Sequence, residues 1–303
     1  MKTAFIKTLT EEIEKNPNII VLAGDLGFSV FDEFKEKYPD NFFNMGISEQ
    51  NMIGVAAGLS LIGKKVFVYS IIPFVTFRCL EQIRNDLCYQ DLDVVVVGVG
   101  SGVSYGSSGF SHQAIDDIGA LKSIPGITIL SPSDPLEVKC LVKDSFSYNH
   151  PIYLRLGKNS EKIVNKNSLN LKIKEINYIF KGEKIALITY GNIIEEVYEV
   201  YLKLLKKGYT PSLISIPTIK PLNLTEIKKI YEKHEKIIVI EEHNRIGGLG
   251  ESIFPLNEKN VSFFHFAIKD EFIKKVGSSK YLRKMIGLDS LTLFEKINKI
   301  LEK

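Results

Sequence analysis

Residues 94–97 are four valines in succession. A β-branched run with no polar alternation reads as a strand buried on both faces, the kind found in parallel sheets covered by helices on each side. Further short apolar runs at 19–23, 66–70, 127–130 and 152–156 read as strands of the same type. Helical patterns separate them at 3–16, 31–38, 49–62 and from Pro135 onward. A short strand is expected at 42–45, and the segment 72–88 reads as helical in its later part. This alternation predicts one doubly wound, mainly parallel α/β domain over residues 1–160. A lysine- and asparagine-rich break follows, read as a linker over 161–182 with room for some strand in it. Strands at 185–189, 212–216, 237–241 and 261–267, with helices at 193–207, 225–234 and 291–301, predict a second, smaller α/β unit over 183–303.

A chain of 303 residues is long enough for two such units. The formal net charge is only +3 and the lysines are spread along the chain, so no basic stripe marks a nucleic-acid partner. No stretch approaches the length of apolar sequence that a membrane helix needs, and the N-terminus turns acidic too early for a signal peptide. Cys79, Cys88 and Cys140 are scattered without metal-ligand spacing, which fits reduced thiols in a cytoplasmic protein.

The stretch 44–60, NMGISEQNMIGVAAGLS, carries the most chemistry. Ser48 reads as a helix N-cap and Gly63 as the stop. Gly54, Ala57 and Gly58 fall at i, i+3 and i+4 and share a face without bulk. Interior glycine destabilises a helix by about 1 kcal/mol relative to alanine, so close approach of another backbone or a ligand is expected there. Glu49 stands in the first turn, where the macrodipole favours a carboxylate. Taken alone, it is an ordinary helix-start residue.

In its context it is more. Residues 46–70, GISEQNMIGVAAGLSLIGKKVFVYS, resemble the pyrimidine-binding domain of transketolases and related thiamine-diphosphate enzymes. The resemblance implies that Glu49 is catalytic, hydrogen-bonding a pyrimidine nitrogen of thiamine diphosphate and sharing a proton with it. It also places an aromatic on the pyrimidine ring. Phe74 and Phe77 are both candidates, with Arg78 beside them; the F-x-x-x-R spacing of split transketolases favours Phe74, whereas an alignment with the fused enzymes puts Val75 there. Asp25 and Ser29, in GDLGFS, match the start of the same domain, near the thiazolium and the phosphate end of the substrate. Arg155, in YLRLGK, corresponds to an arginine that binds substrate phosphate.

Gly98 and Gly100 after the valine strand do not complete a dinucleotide fingerprint, because Val103 stands at the third glycine position. They open a glycine-rich loop instead, ending at Ser111-His112-Gln113. Residues 111–134, SHQAIDDIGALKSIPGITILSPSD, match a transketolase stretch without a gap. The resemblance makes His112 a contact to donor oxygens and to developing charge. Counting back from His112, the family's second loop histidine falls at Gly100 and an acceptor-reading aspartate falls at Ser108. Sugar recognition is therefore expected to differ from that of ordinary transketolase. A phosphorylated ketose such as xylulose 5-phosphate or fructose 6-phosphate is expected as donor, and an acceptor other than ribose 5-phosphate. The segments PTIKPLN and EEHNRIGGLGES resemble the family's C-terminal domain and read as packing and turn residues, His243 among them.

The G-D-G motif followed by an asparagine pair, which holds the cofactor's diphosphate through a metal, does not occur in this sequence. By resemblance the chain is then the C-terminal half of a split transketolase. Its N-terminal partner subunit would carry that motif and bind Mg2+ or Ca2+, in an α2β2 assembly acting on sugar substrates. Two alternatives are a β subunit of a 2-oxo acid dehydrogenase, whose paired-histidine pattern the loop GFSHQAIDD does not show, and a non-catalytic homologue, against which Glu49 and His112 stand.

Overall fold

In the computed structural model, which describes residues 1–26, 30–158, 161–165 and 168–302, the four valines divide between two cores. Val94 and Val96 enter one hydrophobic cluster, and Val95 and Val97 enter another on the opposite face. A two-residue period with both sides apolar is what a sheet covered twice requires.

The first part of the chain runs α1 (Lys2–Ile13), β1 (Ile19–Ala23), α2 (Asp32–Lys37), β2 (Phe42–Asn44), α3 (Glu49–Leu61), β3 (Lys65–Ile71), α4 (Ile72–Val75), α5 (Leu80–Gln82), β4 (Val94–Val99), α6 (Asp117–Lys122), β5 (Thr128–Leu130), α7 (Pro135–Ser145) and β6 (Ile152–Leu156). The second part runs β7 (Asn177–Phe180), β8 (Lys184–Thr189), α8 (Ile194–Lys206), β9 (Ser212–Ser215), β10 (Thr218–Lys220), α9 (Leu224–Lys233), β11 (His234–Asn244), α10 (Leu249–Ile253), β12 (Ser262–Ile268), α11 (Ser279–Ile286) and α12 (Ser290–Leu301).

Among the described residues the first sheet has seven strands in the order β10-β5-β6-β4-β3-β1-β2, parallel except for β10. The second has five, β12-β11-β8-β9-β7, parallel except for β7. The fold is the α/β class expected, a doubly wound, mainly parallel pyrimidine-binding-type unit and a smaller α/β unit.

Three details differ from the sequence reading. Helix starts directly after β3, because Pro73 in the first turn of α4 is already set for it. That helix then breaks at Thr76 and resumes in α5 and a π-helical turn, Ile83–Cys88. Asn177–Phe180, read as linker, is the antiparallel edge of the second sheet. Thr218–Lys220, read as turn and packing, leaves the second unit and pairs antiparallel with β5 of the first sheet.

The two units share one core. The cluster around Ile20, Val66 and Val94 continues into Ala186, Ile214, Ile237 and Leu249. Polar contacts add to it: Lys122 Nζ donates to the carbonyls of Gly247 (2.9 Å) and Gly248 (3.2 Å). Local signals are honoured at several helix ends. Asp134 caps α7 by accepting from the amides of Leu136 and Glu137, and Asn223 and Ser278 cap α9 and α11.

Candidate active site

β3 lies beside β1, but β2, which follows β1 in sequence, lies on its other flank. Strand order thus reverses between β1 and β3, and the crevice beyond their C-terminal ends is where open α/β sheets take ligands. Gly24 leaves β1 there and Ser70 stands near the end of β3. The start of α3 brings in Glu49. Ser48 occupies the N-cap position of α3, though its hydroxyl makes no capping bond.

Glu49 is only 3% exposed. Ser70 Oγ donates to its Oε1 at 3.2 Å and Arg78 Nη1 to its Oε2 at 2.5 Å. A Cβ at Gly24 would lie 3.2 Å from Ser70 Oγ and 3.5 Å from Glu49 Oε1, so the strand end meets the carboxylate with no side chain between them. The Arg78 guanidinium lies 4.8 Å from the centre of the Phe74 ring. The His112 imidazole meets Phe74 edge to face, 5.0 Å between centres, and its Nδ1 lies 3.0 Å from Ser111 Oγ. Four of the expected residues, Glu49, Phe74, Arg78 and His112, therefore form one contiguous group.

The others are placed differently. Phe77 is 42% exposed, and among the described residues no ring contact ties it to this group. Asp25 lies on an exposed turn, its amide donating to Gly46 O at 3.1 Å. Ser29 falls outside the described residues. Gly54 and Gly58 line the open side of α3, with no atom within 4 Å of where a methyl group would stand, whereas Ala57 is buried.

Arg155 does not meet the expectation of a phosphate ligand. It is 1% exposed, its Nε donates to Asp117 Oδ2 at 2.9 Å and its Nη2 to Ala114 O at 2.7 Å. Burial disfavours the charge, but Asp117 more than compensates and holds the guanidinium above its ordinary range. Its place inside β6 turns it into the protein rather than toward the crevice. Lys158, which follows β6, lies 4.1 Å from the centre of the Tyr105 ring. Tyr105 in turn lies 6.1 Å from His112 and fills the space beside Gly100, where a Cβ would come within 2.1 Å of its ring. Lys158 was missed in the sequence, although its position just past a parallel strand's C-terminal end is the signal that could have found it.

His243 has the structural role expected of it. Its Nδ1 lies 2.7 Å from Asn244 O and its Nε2 accepts from Gly119 N at 3.3 Å, and burial pushes its pKa down. Glu241 accepts from the amides of Leu249 and Gly250 at the start of α10, which accounts for the EEHNRIGGLGES segment.

A buried carboxylate, an aromatic face and a bare strand end at the switch point suit the pyrimidine end of thiamine diphosphate. Among the described residues no three His, Cys, Asp or Glu side chains cluster as a metal site would require.

Taken with the second sheet, this architecture is that of the transketolase class of α/β proteins. The family profile for the transketolase pyrimidine-binding domain matches residues 1–162, and that for the transketolase C-terminal domain matches 174–290. The chain belongs to the transketolase family. It is 33% identical, over 95% of its length, to 93% of an apulose-4-phosphate transketolase subunit from Phocaeicola vulgatus. It is 24% identical, over its whole length, to 95% of the 6-deoxy-6-sulfo-D-fructose transketolase subunit SqwH of a Clostridium species. A solved split-gene transketolase, described as an inactive β4 tetramer, superposes with a TM-score of 0.86 at 28% identity, covering 98% of this chain and 96% of that one. The chain has the build of the C-terminal subunit of a split transketolase-like enzyme.

Proposed function

We propose that this chain supplies the pyrimidine half of a thiamine-diphosphate site and, with a separate N-terminal subunit, transfers a two-carbon ketol unit between sugar phosphates. The observation that carries the reading is the contiguous group of Glu49, Arg78, Phe74 and His112 at the switch point. When bound, thiamine diphosphate supplies the carbon nucleophile and the electron sink. Glu49 holds the pyrimidine edge and exchanges a proton with it, while Ser70 and Arg78 fix its two oxygens. Phe74, rather than Phe77, offers the ring a flat apolar face. His112 hydrogen-bonds the donor's oxygens and balances charge as it develops. Lys158 takes the role first given to Arg155, as a cation for the substrate's phosphate. Asp25 lies at the outer edge of the same crevice, and Ser29 keeps its proposed place at the phosphate end.

The diphosphate and its Mg2+ or Ca2+ are held by the partner subunit, in a cytoplasmic α2β2 assembly. No helix among the described residues is long and apolar enough to cross a membrane. The relatives' names attach to apulose 4-phosphate and a sulfonated fructose, which supports an acceptor or donor other than the ordinary pentose phosphates. Gly100 and Ser108, standing where the resemblance puts a histidine and an aspartate, support the same choice, since a pocket built to bond a hydroxyl can discriminate by about 10⁴-fold and this one lacks that imidazole and that carboxylate.

The test is expression of the chain alone and with a subunit carrying the G-D-G motif, both given thiamine diphosphate and Mg2+. Ketol transfer by the pair and none by the chain alone is expected, in line with the inactive β4 relative. Full transfer by the isolated chain overturns the split-enzyme reading. Preference for ribose 5-phosphate over every other acceptor overturns the specificity.

A further inference from the structure

The loop carrying His112 closes on itself at Gly102 and Ala114, whose amides and carbonyls pair both ways at 2.9 Å. His112 is therefore placed by whatever holds that pair. On one side, Ala114 O accepts from Arg155 Nη2 at 2.7 Å. On the other, the second unit reaches across. Glu242, 2% exposed, is held by Arg283 through Nε at 2.6 Å and Nη2 at 3.2 Å. Two parallel bonds fix the carboxylate plane as well as its position. Its Oε2 occupies the space beside Gly102, where a Cβ would come within 2.0 Å. Gly102 has φ +61, a conformation that favours glycine, so the backbone there both needs and permits the close approach.

The same unit holds the loop elsewhere. Gly277 N donates to Gly106 O at 3.2 Å, the Phe272 ring meets Phe110 at 4.4 Å between centres, and Asn192 bonds both Ser101 Oγ and Ser104 Oγ at 2.9 Å. At the base itself Asn244 N donates to Ile115 O at 2.6 Å and Asn192 holds Ser101, and the Glu242–Arg283 pair fills the space directly beside Gly102.

We infer that Glu242 and Arg283 are positioning residues for His112, so that the second unit, which contributes no group to the cluster itself, sets where the imidazole stands. This rests on the proposed role of His112. Glu242 acts as a wall: pinned by Arg283, it stops Gly102 from moving outward, and Ala114 and His112 stay with it. Without the guanidinium the carboxylate is left buried and unpaired, turns toward water and releases the loop.

The experiment uses Arg283→Met and Arg283→Lys. In the full chain, Arg283→Met is expected to speed amide exchange at Gly102 and Ala114 by about tenfold, as a local opening does, with α12 amides unchanged beyond the first turn, where Glu196 links Arg283 to Ser290 N. In the assembly with the N-terminal subunit, kcat should fall roughly 10- to 100-fold, the scale of an ångström's misplacement, with the donor KM little altered. Arg283→Lys, which keeps the charge beside Glu242, should restore most of both. In a His112→Ala background the kcat loss should vanish. Unchanged exchange and kcat overturn the inference, as does a loss that adds in full to that of His112→Ala, or faster exchange throughout α12. If Arg283→Met does not fold, Glu242→Gln, which keeps the shape, is judged by the same results. Should His112→Ala leave turnover intact, the role given to His112 fails, and the exchange measurement alone decides whether the pair holds the loop.

Discussion

Arg78 and Arg155 each hold a carboxylate near the C-terminal end of the first sheet. In the Arg78–Glu49 pair the side-chain exposures are 42% and 3%; in Arg155–Asp117 they are 1% and 0%. The inner pair is further enclosed, since Tyr153 OH donates to Asp117 Oδ2 at 2.7 Å. Both oxygens of Asp117 accept within it. The outer pair has one partner in water and one in the protein, with an aromatic face and an imidazole alongside. A pair whose arginine is 42% exposed can be approached by another partner, and the buried pair cannot. An arginine–carboxylate pair is thus closed off at one point and open to water at the other.

Glu49→Gln should break the chemical side of this contrast most severely. The amide keeps the shape but exchanges no proton, so turnover of the assembled enzyme should fall by about 10²–10⁴, the range of general acid–base contributions. Hydrogen–deuterium exchange at the thiazolium carbon, followed by NMR, measures it; an undiminished rate removes Glu49 from the chemistry.

The structural side is tested by Arg155→Met. It strands Asp117 in the core and should cost about 3–5 kcal/mol in urea unfolding, as removal of one partner from a buried pair does. Arg78→Met should cost less, about 1–3 kcal/mol, because Glu49 keeps Ser70 and water can stand in for a guanidinium that is 42% exposed. Equal losses would mean that exposure does not separate the two pairs. The smallest effect is expected from Lys158→Met: about a tenfold rise in KM for a phosphorylated donor, the range of one lost charge-assisted bond, with the fold unaffected. An unaltered KM returns the phosphate contact to another group.

Much of this was legible in the residues because the patterns were redundant. The valine run specified a doubly covered strand, Glu49 and His112 each lay in a long matched stretch, and Phe74 and Arg78 were placed by their F-x-x-x-R spacing. Arg155 and Lys158 show where such reading stops. Both are cations in one six-residue segment, YLRLGK. The strand read at 152–156 ends at Leu156 as expected; what the local pattern does not show is that Asp117, far away in sequence, holds Arg155 inside the protein. β7 was hidden by a short, polar-edged sequence. β10 was hidden because its pairing is with a strand some 90 residues earlier, Thr218 opposite Leu130, and local pattern carries no information about such a partner.

β10 also has a consequence for the order of assembly during synthesis. The chain leaves the ribosome from the N-terminus, and domains commonly fold as they emerge. Here β5 has an open edge until residue 220 is free, because the strand that covers it belongs to the later half. An open edge invites pairing with another chain. The first half is therefore exposed to that error for as long as β7, β8, α8 and β9 are being made, and completing the second half is what closes the first.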